Sequence, residues 1–356
     1  MSFRRVESMR GFRDRDFLHT YEGFFFCVIG SLHPRERVIS YVKYVPSESG
    51  IWGRNGKKFS RILQKYTIPN LLETFKYLET SYPNYLFYSP VDKITITAVP
   101  HQNIKEHFKP EEKLAQLRKS SQLDSLQQKL IRFIRFLEEM SNISAESFGV
   151  TGSLLLDIHQ PKFSDLDITV YGIKNSWLLH KALIKNRDSE MPMKRLEGNA
   201  LKEWCARKAE QYPLSRAEAS KIYERKWNLG VFENKWVSIH PVKLEGEVTG
   251  EYGKSTYHPC GKVTVRAIVR DNSECLFLPS VYKVEDATVL KGPQLGNITE
   301  VISYESLYDS LAEKGETIQA KGKLERVWEK GTNREHYRVL VGSTEGKGNE
   351  YIKIDE

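Results

Sequence analysis

The stretch Gly149-Val150-Thr151-Gly152-Ser153, followed twelve residues after Ser153 by Asp165-Leu166-Asp167-Ile168-Thr169-Val170-Tyr171, decides how this chain is read. In an extended segment the side chains of residues i and i+2 leave the same face. Asp165 and Asp167 therefore point together, while Leu166, Ile168 and Val170 turn the other way into a core. Two neighbouring carboxylates on one face repel unless a cation or a proton lies between them, and a divalent ion with oxygen ligands resolves the conflict. Ahead of the strand, Gly152 lets backbone N–H groups approach an anion, and Ser153 adds a hydroxyl donor at the start of a helix. The stretch thus joins a phosphate-handling turn to a metal-binding strand.

Working outward, residues 122–140 place Leu123, Leu126, Leu130, Ile134 and Leu137 at three- and four-residue spacing, with Lys129, Arg132 and Arg135 opposite. That is an amphipathic helix. A short strand over 147–150, the glycine turn, a helix from Gly152 and a strand over 165–170 follow. Helices are expected over 177–185, 196–210 and 216–226. Ser215 with Glu218 three residues on forms a capping box for the last of these. The apolar run 236–242 reads as another strand of the same small sheet, which Pro241 confines to an edge or terminates.

Gly-Ser, a spacer of ten residues, then Ser164-Asp165-x-Asp167 on an apolar strand resembles the nucleotidyltransferase superfamily of DNA polymerase beta. That group includes CCA-adding enzymes, poly(A) polymerases and minimal nucleotidyltransferases. The likeness is concentrated in residues 148–172, extends to about residue 243, and is closer still to multi-domain archaeal proteins built around such a core. The resemblance implies a Mg²⁺- (or Mn²⁺-) dependent transfer of a nucleoside monophosphate from a nucleoside triphosphate to an acceptor, RNA or another nucleic acid, with two ions. Asp165 and Asp167 would be the catalytic metal ligands, Gly152 and Ser153 the nucleotide-binding turn, and Ser164 would position Asp165. Gly149 would serve the turn entering the site.

Relatives of this kind carry a third carboxylate on a neighbouring strand, and here the pattern departs. Lys235-Trp236-Val237-Ser238-Ile239-His240-Pro241-Val242 contains no acid. Ser238 and His240 share one face, which makes His240 the substitute catalytic base. Asp157, Glu233, Glu245 and Glu247 are the acids near enough in sequence to reach in. Arg225 and Lys226 are the candidate nucleotide-binding cations, beside Trp227. Two other readings stay open: a catalytically inactive nucleotide- or RNA-binding module, and nucleotide transfer onto a protein in the manner of an antitoxin.

At 356 residues the chain is long for one core. The expected class is α+β: a β-rich N-terminal domain over 1–110, the nucleotidyltransferase core with its preceding helix over 111–247, and a small all-β, OB-like domain over 248–356. Residues 101–121 are charged and read as a linker or exposed helix. The net charge of +8 is uneven. Residues 42–66 hold six basic side chains (Lys43, Arg54, Lys57, Lys58, Arg61, Lys65) against Glu48 alone, interleaved with aromatics. Such a surface favours polyanions, and its aromatics read as sheet core or as a base-stacking platform. No run approaches the length of a membrane span and the start, Met1-Ser2-Phe3-Arg4-Arg5, lacks an apolar signal region, which makes a cytoplasmic protein the expectation. Four scattered cysteines without a Cys-x-x-Cys pair read as free thiols.

Overall fold

Alternating apolar strands and capped amphipathic helices build an α+β protein. The computed structural model describes residues 10–54, 56–187, 189–332 and 334–355; the chain start discussed above and the Arg54 side chain lie outside the described residues. Three sheets and seven α-helices make up that part of the chain.

The first sheet has eight strands: β1 (Phe17–Thr20), β2 (Phe25–Val28), β3 (Arg37–Pro46), β4 (Trp52–Arg54), β5 (Lys57–Arg61), β6 (Leu86–Ser89), β7 (Ile94–Pro100) and β8 (Ile104–Phe108). They run in the order β4-β5-β3-β2-β1-β8, with β7 pairing to β3 and carrying β6. Helix α1 (Ile68–Ser81) lies between β5 and β6. Phe17, Phe25, Tyr44 and Phe59 are buried on this sheet in one apolar cluster with Leu155, Leu156 and Ile158. The N-terminal sheet is therefore packed onto the spacer between the glycine turn and the aspartates.

The second sheet contains β9 (Phe148–Val150), β10 (Leu166–Tyr171), β11 (Met193–Lys194), β12 (Leu229–Phe232) and β13 (Lys235–Val242), ordered β11-β12-β13-β10-β9. Its helices are α2 (Pro110–Lys119), α3 (Ser125–Ser141), α4 (Gly152–Leu155), α5 (Ile173–Lys185), α6 (Gly198–Gln211) and α7 (Arg216–Arg225). The Asp124 carboxylate caps α3 by accepting from the N–H groups of Leu126 (2.8 Å) and Gln127 (2.9 Å). Leu126, Leu130, Phe133, Ile134 and Leu137 are buried along its inner face, each contributing ~1.5–3 kcal/mol by leaving water. The Ser215–Glu218 capping box at α7 is formed.

Two expectations are corrected here. Residues 110–119 are a helix, one of the two forms expected, but its Leu114 and Leu117 are buried where an exposed helix was expected. Strand β13 is interior, between β12 and β10. Pro241 is tolerated there because β12 pairs with β13 only as far as Ser238. The Ile239 N–H points to the β12 side, donating to Asn228. Two residues on, the Pro241 nitrogen faces the same side, beyond the start of β12, where no ladder bond is needed.

The third sheet comprises β14 (Ser255–Glu274), β15 (Ser280–Lys291), β16 (Ile298–Ser303), β17 (Thr317–Glu329), β18 (Arg334–Val341) and β19 (Tyr351–Ile354). The order β14-β15-β16-β18-β17 closes on itself through β14–β17 pairing, β16 and β18 run parallel, and β19 pairs with β17. Its interior merges with that of the second sheet into one apolar cluster running from Leu114 to Ile352. No helix among the described residues is long and apolar enough to cross a membrane.

Candidate active site

Strands β9 and β10 pair antiparallel, with Val150 opposite Ile168. The Thr151 N–H donates to the Asp167 carbonyl (2.9 Å), pinning the glycine turn to the aspartate strand. Gly152 follows with φ +68°, and a Cβ built on it would lie 2.5 Å from Asp167 Oδ2. Only glycine accepts both the backbone and the contact. The Thr151 hydroxyl donates to the Arg15 carbonyl (2.8 Å), tying the turn to the N-terminal sheet. Gly149 has a different task from the expected one: it lies within β9, where Pro110 of α2 crosses so closely that a Cβ would meet Pro110 Cβ at 2.7 Å.

The helix at the turn is only four residues long, so the expected helix-end anion site reduces to backbone groups of a single turn. Ser153 is buried, and its hydroxyl makes no hydrogen bond among the described residues. Ser164 shapes the approach to Asp165: its hydroxyl accepts from the Gln160 N–H (2.9 Å), and its own N–H donates to the Gln160 carbonyl (2.9 Å).

Leu166, Ile168 and Val170 are fully buried, which turns Asp167 to the opposite face. Asp165 stands just before β10 and is open to solvent on its outer side. Burial against the protein wall, then the neighbouring charge of Asp167, push its carboxyl up to about 6, against the pull of Arg61, Lys235 and Lys43. Asp165 makes no hydrogen bond or ion pair among the described residues.

Parallel pairing of β10 with β13 sets Asp167 beside Ser238 and Thr169 beside His240. The Ser238 hydroxyl donates to Asp167 Oδ1 (2.5 Å) and lies 2.9 Å from His240 Nε2. Since Ser238 spends its proton on the carboxylate, His240 Nε2 is the donor of the second bond, which assigns its tautomer. Burial, with Arg15, Lys43 and Lys226 nearby, holds His240 well below the ordinary histidine range; it is neutral, although part of its surface stays accessible. The expectation of His240 as the base is corrected to an orienting role: its Nε2 is occupied and its basicity is low.

None of the other acids completes the pair. Asp157 is held by Lys113 (2.6 Å), Glu233 by Arg132 (2.6 Å) and Glu245 by Arg13 (2.5 Å). Glu247 accepts from the N–H groups of Ile173 and Leu244. No group of three metal-ligating side chains occurs among the described residues.

Arg225 and Lys226 are not brought to the aspartates as free cations. Arg225 pairs with Glu316 (2.7 Å). Lys226 is buried, its ammonium 2.5 Å from Asp309 Oδ1 and 2.7 Å from the Ser306 carbonyl. Trp227 is buried against His180. These residues join the second sheet to the third.

Sequence reasoning missed the cations whose charge acts on the aspartates, Lys43 on β3 and Arg61 on β5. The signal was the basic, aromatic run 42–66, which carried charge but no address. Two cavities lie elsewhere, one of about 440 Å³ among Lys283, Glu300, Arg334 and His336, the other of about 330 Å³ near Asp92, Tyr252 and Tyr304.

Gly152→Ala should cost ~1–3 kcal/mol of stability, from the positive φ and the clash with Asp167. Urea unfolding measures it; a change within a few tenths of a kcal/mol would contradict the contact.

No known family profile and no solved structure matches the chain. It is similar to the uncharacterized protein MJ1086 of Methanocaldococcus jannaschii, 28% identical over 350 residues, covering 96% of this chain and 98% of that one.

Proposed function

We propose that this protein is a Mg²⁺-dependent nucleotidyltransferase that moves a nucleoside monophosphate from a nucleoside triphosphate to a hydroxyl of a nucleic acid, RNA foremost. The observation that carries the reading is the contact of the Gly152 backbone with Asp167, the second carboxylate of a same-face pair. It joins an anion-accepting turn to a cation-accepting strand.

The donor set fits the ion. Mg²⁺ is commonly held by one or two carboxylates together with substrate phosphates and water, and Asp165 and Asp167 are such a pair. Asp165 has its oxygens free of protein donors, and Asp167 is fixed in orientation by Ser238. When bound, Mg²⁺ would neutralise phosphate charge and polarise the transferring group. The chain's own residues supply the rest. In this reading the positive-φ backbone at Gly152 and the Ser153 hydroxyl, without a hydrogen-bond partner among the described residues, receive the terminal phosphates, and the His240–Ser238–Asp167 relay holds the second carboxylate. In the transfer, the acceptor oxygen bonds to the α-phosphorus as the bond to pyrophosphate breaks, and the hydroxyl proton leaves to solvent.

The strand order of the third sheet supports a nucleic acid as acceptor. A closed five-strand ring with the third and fifth strands parallel is the order of OB-fold barrels, which bind oligonucleotides and oligosaccharides.

The lack of a third carboxylate among the described residues favours a second reading, a nucleotide-binding module without turnover. Incubation with α-labelled nucleoside triphosphates, Mg²⁺ and short RNAs separates the two. Label on RNA with matching pyrophosphate release, lost in Asp165→Ala, supports transfer. Nucleotide binding with no label on RNA, DNA or protein leaves the binding module.

A further inference from the structure

We propose that the N-terminal sheet supplies the polyphosphate subsite of this centre, with Lys43 and Arg61 as the cations that receive the phosphate chain. The inference rests on the nucleotidyltransferase reading for the identity of the anion, not for its place.

Lys43 is 6% exposed. Its ammonium lies 5.4 Å from the ring centroids of Phe17 and Tyr66 and 5.8 Å from that of Tyr44. Among the described residues it makes no ion pair and no hydrogen bond. The Arg61 guanidinium sits 5.2 Å from the Trp52 ring and 5.8 Å from that of Tyr44. It also lacks an ion pair there; its one polar side-chain contact is a long 3.5 Å bond to the Tyr44 hydroxyl, and Arg61 Nε is buried without a partner.

Burying an ammonium without a counter-charge is unfavourable, and ring faces return only part of the lost hydration. Both cations feel Asp167, and both pull on Asp165, yet neither touches a carboxylate. Cations on the N-terminal sheet and acids at β10, unbridged, suit a ligand that is itself anionic and brings a divalent ion to the acids. A phosphate chain has that chemistry.

The N-terminal sheet is fixed to the segment that leads into Asp165. The Gly53 N–H donates to the Ile158 carbonyl (3.2 Å), and Trp52 meets Phe163 edge to face at 5.9 Å, two residues before Asp165. The near-complete burial of Lys43 favours the end of a phosphate chain over a polymer backbone, which would run across the surface.

The test is calorimetric titration of the full chain with inorganic tripolyphosphate in the absence of metal, alongside a short oligoribonucleotide lacking a terminal triphosphate. Lys43→Met and Arg61→Gln should each weaken tripolyphosphate binding about tenfold, the loss of one charge-assisted contact. Ligand-free Lys43→Met should unfold no lower than the wild type while losing its stabilisation by tripolyphosphate. Unchanged tripolyphosphate affinity in both variants overturns the inference, even where nucleotidyl transfer is found. Dependence on Lys43 and Arg61 for the oligonucleotide alone also overturns it. Binding of tripolyphosphate through Lys43 in a protein that transfers no nucleotide upholds the subsite and removes the enzymatic reading instead. The Asp165→Asn/Asp167→Asn double variant, with the acids neutralised, should keep metal-free tripolyphosphate binding at wild-type strength or tighter.

Discussion

Nucleotidyl transfer is expected to fall by ~10³-fold or more when Asp165 is replaced by alanine, the scale seen when a transition-state charge loses its fixed partner or a metal its ligand. The same residue sets an acid limit. With its pKa pushed up to about 6, Asp165 is protonated below that pH and cannot ligate a metal, so Mn²⁺ affinity and transfer should both decline as pH drops through about 6. The sign for stability is opposite. A carboxyl whose folded pKa is raised above its unfolded value contributes stability below the ordinary carboxylate range, and that contribution is lost as pH rises through the folded value. Near neutral pH the metal-free protein therefore carries an unrelieved repulsion between Asp165 and Asp167. Asp165→Asn, which removes it, should raise the unfolding midpoint by ~1–3 °C, and Mg²⁺ should raise the midpoint of the wild type but not of the variant. The increment is small because Asp165 is solvent-open and its field is screened. A wild-type midpoint indifferent to Mg²⁺, with Asp165→Asn less stable than the parent, would show that the pair is not a metal site.

What was legible in the sequence is what depends on local spacing. The alternation in Leu166, Ile168 and Val170 placed the two aspartates on one face, and the three- and four-residue repeat from Leu126 to Leu137 marked α3. Ser215 with Glu218 marked the start of α7. These signals are short-range, and tertiary packing agrees with them. The misses share a different origin. Pro241 argues for an edge strand only if its nitrogen faces a partner, and that depends on where β12 begins. His240 was correctly placed beside Ser238, but no spacing reveals that Ser238 would spend its proton on Asp167. Lys43 and Arg61 lie more than a hundred residues before the aspartates, and their charge acts on them because the N-terminal sheet docks on Leu155, Leu156 and Ile158. Arg225 and Lys226 had the composition of a phosphate site and the position of a seam. Charge in a sequence reports a need for a partner, and only the fold says whether that partner is a ligand or another segment of the chain.

That distinction makes Asp309→Ala the largest expected stability loss. The Lys226 side chain is 2% exposed and that of Asp309 10%. Burial lowers the Lys226 pKa in spite of its carboxylate partner. Asp309 Oδ2 also accepts from Asn228 Nδ2 (3.2 Å), which in turn donates to the Ile239 carbonyl (3.2 Å), between Ser238 and His240. Removing Asp309 strands a buried ammonium on carbonyl oxygens alone and loosens the strand that orients Asp167. Breaking such a pair from one side costs ~3–5 kcal/mol, whereas replacing both partners by apolar residues of similar volume is often near neutral. Urea unfolding should therefore show Asp309→Ala far less stable than the parent, and the double variant Lys226→Met/Asp309→Leu largely restored. If Lys226 instead served a nucleotide, Lys226→Met would weaken nucleotide binding in a protein of unaltered stability, and the double variant would be no better than the single one. A loss under ~1 kcal/mol in Asp309→Ala, the range of an exposed pair, would mean that the seam between the second and third sheets is wetter than its packing implies, and Lys226 would return as a candidate ligand.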